Sequence, residues 1–499
     1  MKNYLRYAFG LVLLVVLLIF GLGYLPLPWV EEAGLKPVDI LADLNQGNTP
    51  EALDALDAEI GAGIPVADST EGYAVRSVTE PDTLASAAGD STRSVSTIIV
   101  ESFLPQTEDT LPPTDSVGFQ TAGSDTLPTS PLPSNGTLVP IRDYSPGGTM
   151  LRAFALKLSN VPGLRRPLRI GFMGDSFIEG DLMTCDFREL MQNKYGGGGV
   201  GFVPITSQVA GFRQTVRHKF NQWKQSSIVN NKSGAFTISA FHFTPSENSY
   251  VEYKGSSNRK HLDHFGRARL LFVSEGRSVI RATVNGEEEF LFNTEPKSVL
   301  QEVQLDGDIR SIRYQISDVE GFRAYGVYLE NPTGVSVDNF SVRGNPGTAM
   351  GRINPELSRQ FGKLSPYDLI VLQYGLNVVQ SQVTNYSTYH KQMTAVVNHI
   401  KRCFPGVAIL IMSVGDRATR SNGVFVTMPG IRAMVQTQEQ LARDCGVMFW
   451  STYEAMRAQG GMSTFVKNGW AAKDYTHISA RGGRKIATAL FEAITAPVQ

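Results

Sequence analysis

Ser176 sits in the phrase GFMGDSFIEGD, directly after the apolar run Leu168–Gly174, which reads as a buried strand. Ligands of open parallel sheets bind beyond the carboxyl ends of the strands. A serine on a strand-to-helix turn there is a candidate nucleophile, and the amide of its own turn can help hold an oxyanion. Gly-Asp-Ser alone is too short to decide anything. A second phrase, KDYTHISARGG, places Asp474 and His477 three residues apart just before the last helical pattern. Spacing of three on a turn sets both side chains on one side. An imidazole partnered on one nitrogen keeps a defined tautomer, so the other nitrogen can act as base. The chain has seven histidines, so an isolated one would be read as a surface residue; the carboxylate three residues away reverses that preference. A third phrase, LQYGLN, puts Gly375 and Asn377 at the end of another apolar run. An amide or glycine N–H at that edge can donate to a developing oxyanion; the plain alternative is a turn glycine and a turn asparagine.

These residues need a sheet to converge on. The runs LRIGFMG, DLIVLQYG, GVAILIMSVG and GVMFWS are unbroken and apolar, as strands buried on both faces of a parallel sheet require. Helical patterns lie between them (DFRELMQNKY, YHKQMTAVVNHIKRCF, IRAMVQTQEQLARDC and ARGGRKIATALFEAI). Alternation of this kind predicts an α/β protein, a three-layer α/β/α fold over a parallel sheet. Residues 205–334 break the rhythm with short alternating segments split by Gly, Asn and Asp, which predicts an inserted β-sandwich. An insertion at a surface loop costs little if its ends lie close. The expected organisation is residues 149–204 and 335–499 for the α/β domain, with the sandwich between.

The N-terminal part differs. Lys2 and Arg6 precede an apolar run from Tyr7 to Leu25 that ends in GYLPLPWV without a small-residue cleavage site. A run of this length just spans a hydrocarbon core, and the missing site favours an uncleaved anchor over a signal peptide. Basic residues before the helix keep the N-terminus inside and export the rest. Residues 1–30 are therefore expected to be a transmembrane anchor, with Tyr24 and Trp29 at the far interface. Residues 31–148, rich in Pro, Ser, Thr and Asp, are expected to be a disordered stalk. Within it PEALDALDAEI suggests a short helix, and Asp-Thr-Leu recurs at Asp82, Asp109 and Asp125; this is similar to bacterial O-glycosylation sites, though chance in a biased segment explains it equally well.

With 46 basic and 47 acidic residues the formal charge is −1, which argues against nucleic acid as a partner. Cys185, Cys403 and Cys445 show no metal-ligand spacing and read as buried thiols, Cys403 and Cys445 being the pair that could oxidise. No metal or other cofactor is implied. His261 and His264 have i,i+3 spacing but no evident third ligand.

Taken together, the motifs resemble the SGNH (GDSL-type) hydrolase superfamily over about Arg169 to Gly201 and Ser336 to the C-terminus. The resemblance implies that Ser176 is the nucleophile, Asp474 and His477 complete the triad, and Ser176, Gly344 and Asn377 form the oxyanion hole. Gly344 is taken from DNFSVRGNPG as the second-block glycine. The third block departs from its usual Gly-x-Asn-Asp, since Val378 replaces the aspartate. The phrases YGGGGVGFVP and AYGVYLENPTGVSVDNFSVRGNPG resemble periplasmic peptidoglycan O-acetylesterases with a carbohydrate-binding-like β-domain inside the SGNH fold. That implies a membrane-anchored, extracytoplasmic serine esterase acting on an O-acetylated glycan. An O-acyltransferase on the same sugars and a non-catalytic wall-binding protein remain open. A lipase-like reading is weaker, because the sequence shows no exposed apolar lid near the site. Asp416 and Arg417 read as a structural ion pair or plain loop near the site, Glu179 and Asp181 as solvated or capping groups, and Trp223, Tyr250 and Tyr253 as core residues of the insertion.

Overall fold

The computed structural model describes residues 96–101, 138–231 and 234–498. The expected anchor, the short helix near Pro50 and the Asp-Thr-Leu triplets lie outside the described residues. Among the described residues no helix is long and apolar enough to cross a membrane.

In chain order the molecule runs through β1 (Ser96–Glu101), β2 (Arg142–Asp143), α1 (Met150–Ser159), β3 (Leu168–Gly174) and α2 (Thr184–Tyr195). An all-strand stretch follows: β4 (Gly201–Val203), β5 (Arg217–Ser227), β6 (Phe241–Lys254), β7 (Phe265–Ser274), β8 (Val279–Val284), β9 (Glu288–Asn293), β10 (Lys297–Ile309), β11 (Ser311–Ser317) and β12 (Phe322–Glu330). Then come β13 (Val335–Ser341), α3 (Pro355–Leu364), β14 (Leu369–Gln373), α4 (Ser387–Cys403), β15 (Ala408–Met412), β16 (Ala418–Ser421) and β17 (Val424–Thr427). The chain closes with α5 (Pro429–Cys445), β18 (Met448–Trp450), α6 (Thr452–Ala458), α7 (Gly461–Lys467) and α8 (Ala480–Thr495).

One sheet has the order β13-β3-β14-β15-β18-β2. Its first five strands are parallel, and β2 closes one edge antiparallel. The continuous apolar runs are explained by the two faces each strand must fill. Ile170 and Phe172, Leu369 and Val371, and Leu410 and Met412 pack on one side with Phe187, Met191, Ile486 and Leu490. Met173, Ile370, Leu372, Ile409 and Ile411 pack on the other with Phe361, Met393, Val397, Ile431 and Met434. This is the expected three-layer α/β/α arrangement. Gly174, Ser341, Gln373, Met412 and Trp450 are in register, so one rim of the sheet carries the loops that follow all five parallel strands.

Ten further strands form a sheet in the order β1-β10-β7-β12-β6-β11-β8-β9, with β4 on β12 and β5 on β6, and β16 pairs with β17 alone. The start of β6 meets β12 at a single pair, Phe243 and Ala324, while its later half pairs with β11. The strands thereby fold into two layers around Leu270, Phe272, Val327, Leu329, Val251, Tyr253, Ile312 and Ile316. The inner layer is buried on its second face too, where Leu271, Val273 and Tyr328 pack against Phe340, Leu357, Phe361 and Tyr367. The insertion is thus welded to the α/β layers rather than hung from a loop. The glycines of YGGGGVGF allow this approach: Gly199 and Gly201 have φ of +80° and +71°, and side chains there would strike Leu329 and Asp338.

Buried charges join the two parts. Arg169 of β3 reaches Glu330 of β12 at 2.7 Å and Asp338 of β13 at 3.1 Å. Arg269 of β7 reaches Glu302 and Glu330, each at 2.8 Å. Both guanidiniums lie over the Tyr328 ring, 4.4 and 4.6 Å from its centroid. Tyr367 donates to Asp338 at 3.0 Å and lies 2.6 Å from the Tyr328 hydroxyl. Burial opposes ionisation of Glu330, yet the two arginines hold its carboxyl below the usual range.

The described chain departs from the expected stalk in two places. Ser96–Glu101 pairs antiparallel with Gln301–Asp306. Residues 138–148 are part of the fold: Val139 and Ile141 are buried, β2 pairs with Met448 and Phe449, and Arg142 reaches Glu454 at 2.6 Å. A two-residue strand flanked by prolines carries too little periodicity to stand out from a Pro-rich stretch. All three cysteines are buried and free.

Candidate active site

β3 ends at Gly174, where a Cβ would lie 2.7 Å from Ile178 and 2.9 Å from Gln373 Oε1, so a side chain there would have to displace both. Asp175 is fully buried, and its Oδ1 accepts the Phe177 amide at 2.9 Å. This side-chain turn leaves Ser176 half-buried on the rim. Burial pushes the Asp175 carboxyl up to about 7, against the lowering effect of the Phe177 amide and Gln373.

The turn is braced from below by Asp181. Its carboxylate accepts from Arg188 at 2.8 Å, Arg213 at 3.1 Å and Thr215 at 2.8 Å, and also from Thr184. Those cations hold its carboxyl far below the usual range despite complete burial. The expectation of a solvated or capping Asp181 is corrected: its partners come from α2 and from the loop before β5, which sequence spacing does not reveal. Glu179, also expected to be solvated or capping, reaches Arg343 at 2.7 Å and so ties the Ser176 turn to the Gly344 loop. Gly344 itself is exposed with φ +71°. Asn345 next to it is buried, with Oδ1 accepting the Gly347 amide at 2.9 Å.

The third loop leaves β14 through Gly375, whose φ is +114° and whose Cβ would lie 2.9 Å from Gln438 Nε2. Gln438 donates to the Tyr374 carbonyl at 2.7 Å and fixes this turn. Asn377 Nδ2 donates to Asp175 Oδ2 at 3.0 Å and lies 3.4 Å from the Asn345 carbonyl. The Gly-Asp-Ser, Arg-Gly-Asn and Gly-Leu-Asn phrases therefore meet at one point, and Asp175 is the residue that orients the Asn377 amide. Its role was not legible in the sequence, where its neighbour Ser176 drew attention.

The fourth loop precedes α8. Asp474 Oδ2 and His477 Nδ1 are 2.6 Å apart, and Asp474 Oδ1 accepts the amides of Thr476 and His477 at 2.9 and 3.1 Å. Partial burial opposes ionisation, but these bonds draw the Asp474 carboxyl down to about 2. With Nδ1 donating to Asp474, the basic nitrogen of His477 is Nε2. Tyr475 and Ile478 share a core with Phe177 and Ile178, the residues after Ser176, and Gly483 of α8 lies against the Leu182 carbonyl. The start of α8, which follows the loop, is thereby held against the segment after β3. Between Ser176 and His477 the structure records no hydrogen bond; in enzymes without substrate such bonds are commonly long and tighten on binding.

Asp416 is buried, accepting from Thr427 at 2.9 Å and from the Met462 amide at 2.7 Å, so its work is to hold loops. Arg417 feels the Asp474 charge, although burial dominates and lowers its pKa. His261 bonds Asn193 at 2.9 Å and His264 faces Asp263 at 3.2 Å. Among the described residues no group of three or more His, Cys, Asp or Glu is arranged to hold a metal. Tyr253 is core, donating to the Pro204 carbonyl at 2.7 Å, while Trp223 and Tyr250 are half-buried and Trp223 donates to the Tyr250 carbonyl at 2.9 Å. One element escaped the sequence reading. β16 and β17 form a hairpin whose Val424 and Val426 are exposed and whose Phe425 stacks on Tyr475 at 3.6 Å. An apolar segment thus does stand beside the site, contrary to expectation. Its signal was Asn422-Gly423 between two short β-prone runs, a two-residue hairpin turn.

Residues 309–485 match the GDSL-like Lipase/Acylhydrolase family. The match includes Gly344, Asn377, Asp474 and His477 but begins after Ser176, which the insertion separates from them. No curated protein matches the chain. A solved structure described as "Peptidoglycan O-acetylesterase in action, 5 min" is 24% identical with a TM-score of 0.60, covering 72% of this chain and 99% of its own. A family two carbohydrate esterase from Cellvibrio japonicus is 8% identical with a TM-score of 0.25, covering 60% and 98%. An acetyl xylan esterase is 17% identical with a TM-score of 0.25, covering 32% and 81%. The likeness to GDSL-type acylhydrolases lies in residues 309–485, and the solved esterase with a TM-score of 0.60 shares the fold.

Proposed function

We propose that this chain is a serine esterase that removes O-acetyl groups from a cell-wall polysaccharide, with peptidoglycan the favoured substrate. The observation that carries this reading is the 2.6 Å Asp474–His477 pair, on a loop whose Tyr475 and Ile478 join the same hydrophobic core as Phe177 and Ile178. Support for the substrate comes from the fold shared with the peptidoglycan O-acetylesterase.

In this reading His477 Nε2 takes the Ser176 proton as Oγ attacks the acetyl carbonyl. The carbon becomes tetrahedral and its oxyanion is held by the Ser176 amide, the Gly344 amide and Asn377 Nδ2. His477 passes the proton to the departing sugar hydroxyl, leaving acetyl-Ser176. A water, deprotonated by His477, then attacks the acyl carbon and acetate leaves as Ser176 regains its proton. The Asp474 and His477 side chains are 43% and 46% exposed, so water reaches the base, which favours hydrolysis over acyl transfer. The Tyr7–Leu25 run would anchor the chain in a membrane with this domain on the extracytoplasmic side.

The test is acetate release from O-acetylated peptidoglycan by the full chain in detergent. Release that Ser176→Ala abolishes supports the reading. Release only on addition of a sugar acceptor would assign a transferase, and none from any ester a binding protein. Recovery of the protein in the soluble rather than the membrane fraction of cells would remove the anchor.

A further inference from the structure

We propose that the cavity of about 210 Å³ behind the β16–β17 hairpin is a subsite for a carboxylate-bearing sugar of the glycan, with Phe425 as its wall and Arg432 and Arg457 as its anion-binding groups. The proposal rests on the esterase reading and narrows its substrate.

The hairpin is built to stand out from the fold. Asn422 and Gly423 have φ of +49° and +80°, the conformation of a tight two-residue turn, and the two strands pair only with each other. Val424, Phe425 and Val426 are 64%, 37% and 42% exposed. Three successive apolar residues in water are a feature of binding surfaces. The hairpin is fixed to the catalytic loop at both levels of structure. The Ala418 amide donates to the Tyr475 carbonyl at 3.1 Å, and the Phe425 and Tyr475 rings stack within 9° of parallel. Tyr475 is two residues from His477, so a sugar in the cavity is a near neighbour of the one being deacetylated.

The lining selects the ligand. An acyl chain would need apolar walls, but Asp416, Arg432, Arg457 and Ser463 line the cavity beside Phe425. The Asp416 carboxylate is committed to Thr427 and the Met462 amide, and Arg457 lies 3.9 Å from it with half its side chain exposed. Arg432 lines the cavity from an exposed position, and among the described residues no ion pair joins it to a carboxylate. Two guanidiniums of which one is unneutralised favour an anion, and a guanidinium presents paired donors that match a carboxylate. An aromatic ring beside them offers an apolar face to a pyranose. Together these describe an acidic sugar, such as one bearing a lactyl ether.

The experiment compares three esters on full-length wild type, Arg432→Ala and Phe425→Ala: O-acetylated peptidoglycan, O-acetylated xylan, which is neutral here, and an aryl acetate. Arg432→Ala is expected to raise KM for peptidoglycan about ten-fold at unchanged kcat, with changes below about two-fold on the other two. Phe425→Ala, which also removes the ring stacked on Tyr475, is expected to raise KM for both polymers by a larger factor than for the aryl acetate. An equal effect of Arg432→Ala on all three esters, or none on peptidoglycan, would overturn the subsite. If wild type cleaves the aryl acetate and neither polymer, the glycan reading itself has failed. The subsite is then judged by calorimetric binding of a muramic-acid disaccharide to Ser176→Ala. Binding that Arg432→Ala removes supports it, and no binding overturns it.

Discussion

The two ends of the parallel sheet each carry paired carboxylates and cations, and they treat them in opposite ways. On the amino-terminal side, Arg169 and Asp338 of the sheet are buried against Arg269, Glu302 and Glu330 of the insertion, with side chains at most 5% exposed. At the carboxyl ends, Asp474 and His477 meet at 2.6 Å with nearly half of each side chain in solvent. Buried ions lose hydration, so each demands complete pairing and the cluster sets one geometry. The exposed pair loses little hydration, adds little to stability, and can exchange protons with substrate and water. The same chemistry is a structural clamp in one place and, in the proposed function, catalytic machinery in the other.

This contrast breaks first on activity. Removing the base by His477→Ala should lower kcat about 10⁶-fold, as for triads that act as a unit, while the thermal midpoint moves by no more than about 2 °C; a large loss of midpoint would make the pair structural. Next in size is Arg169→Met, which leaves Glu330 and Asp338 undercompensated. It should cost about 3–5 kcal/mol by denaturant titration with kcat/KM of the folded fraction unchanged. Asn377→Ala should lower kcat by about 10²–10³-fold with KM for an aryl acetate nearly constant. The smallest effect belongs to Asp175. Its folded pKa of about 7 exceeds the ordinary 3.8. The folded state therefore binds more protons than the unfolded one between these values, and stability falls as pH rises across that window. Asp175→Asn should flatten this part of the profile of midpoint against pH; an unchanged slope would assign it to other groups.

Much of the sheet was legible because a parallel strand covered on both faces must be apolar throughout, as Leu369–Gln373 is. Ser176, Asn377, Asp474 and His477 stood out as candidates because each lies next to such a run or next to the final helix. The residues that hold them were not. Asp181 looks like a surface acid until Arg213, brought back by the insertion, is seen on it, and the link between Arg169 and Glu330 crosses most of the insertion without any periodic trace. The fusion of the insertion was hidden for a related reason. Leu271 and Tyr328 alternate with Leu270 and Val327 in a pattern that shows two buried faces, but not that the second faces Phe361. Val139 and Ile141 were lost among prolines.

The most direct measurement is covalent labelling of the full chain with a fluorophosphonate, followed by mass mapping of the adduct. A single adduct on Ser176, formed by wild type and absent in His477→Ala, is the expected result. An adduct on another serine, or labelling of Ser176 that persists without His477, would contradict the assignment.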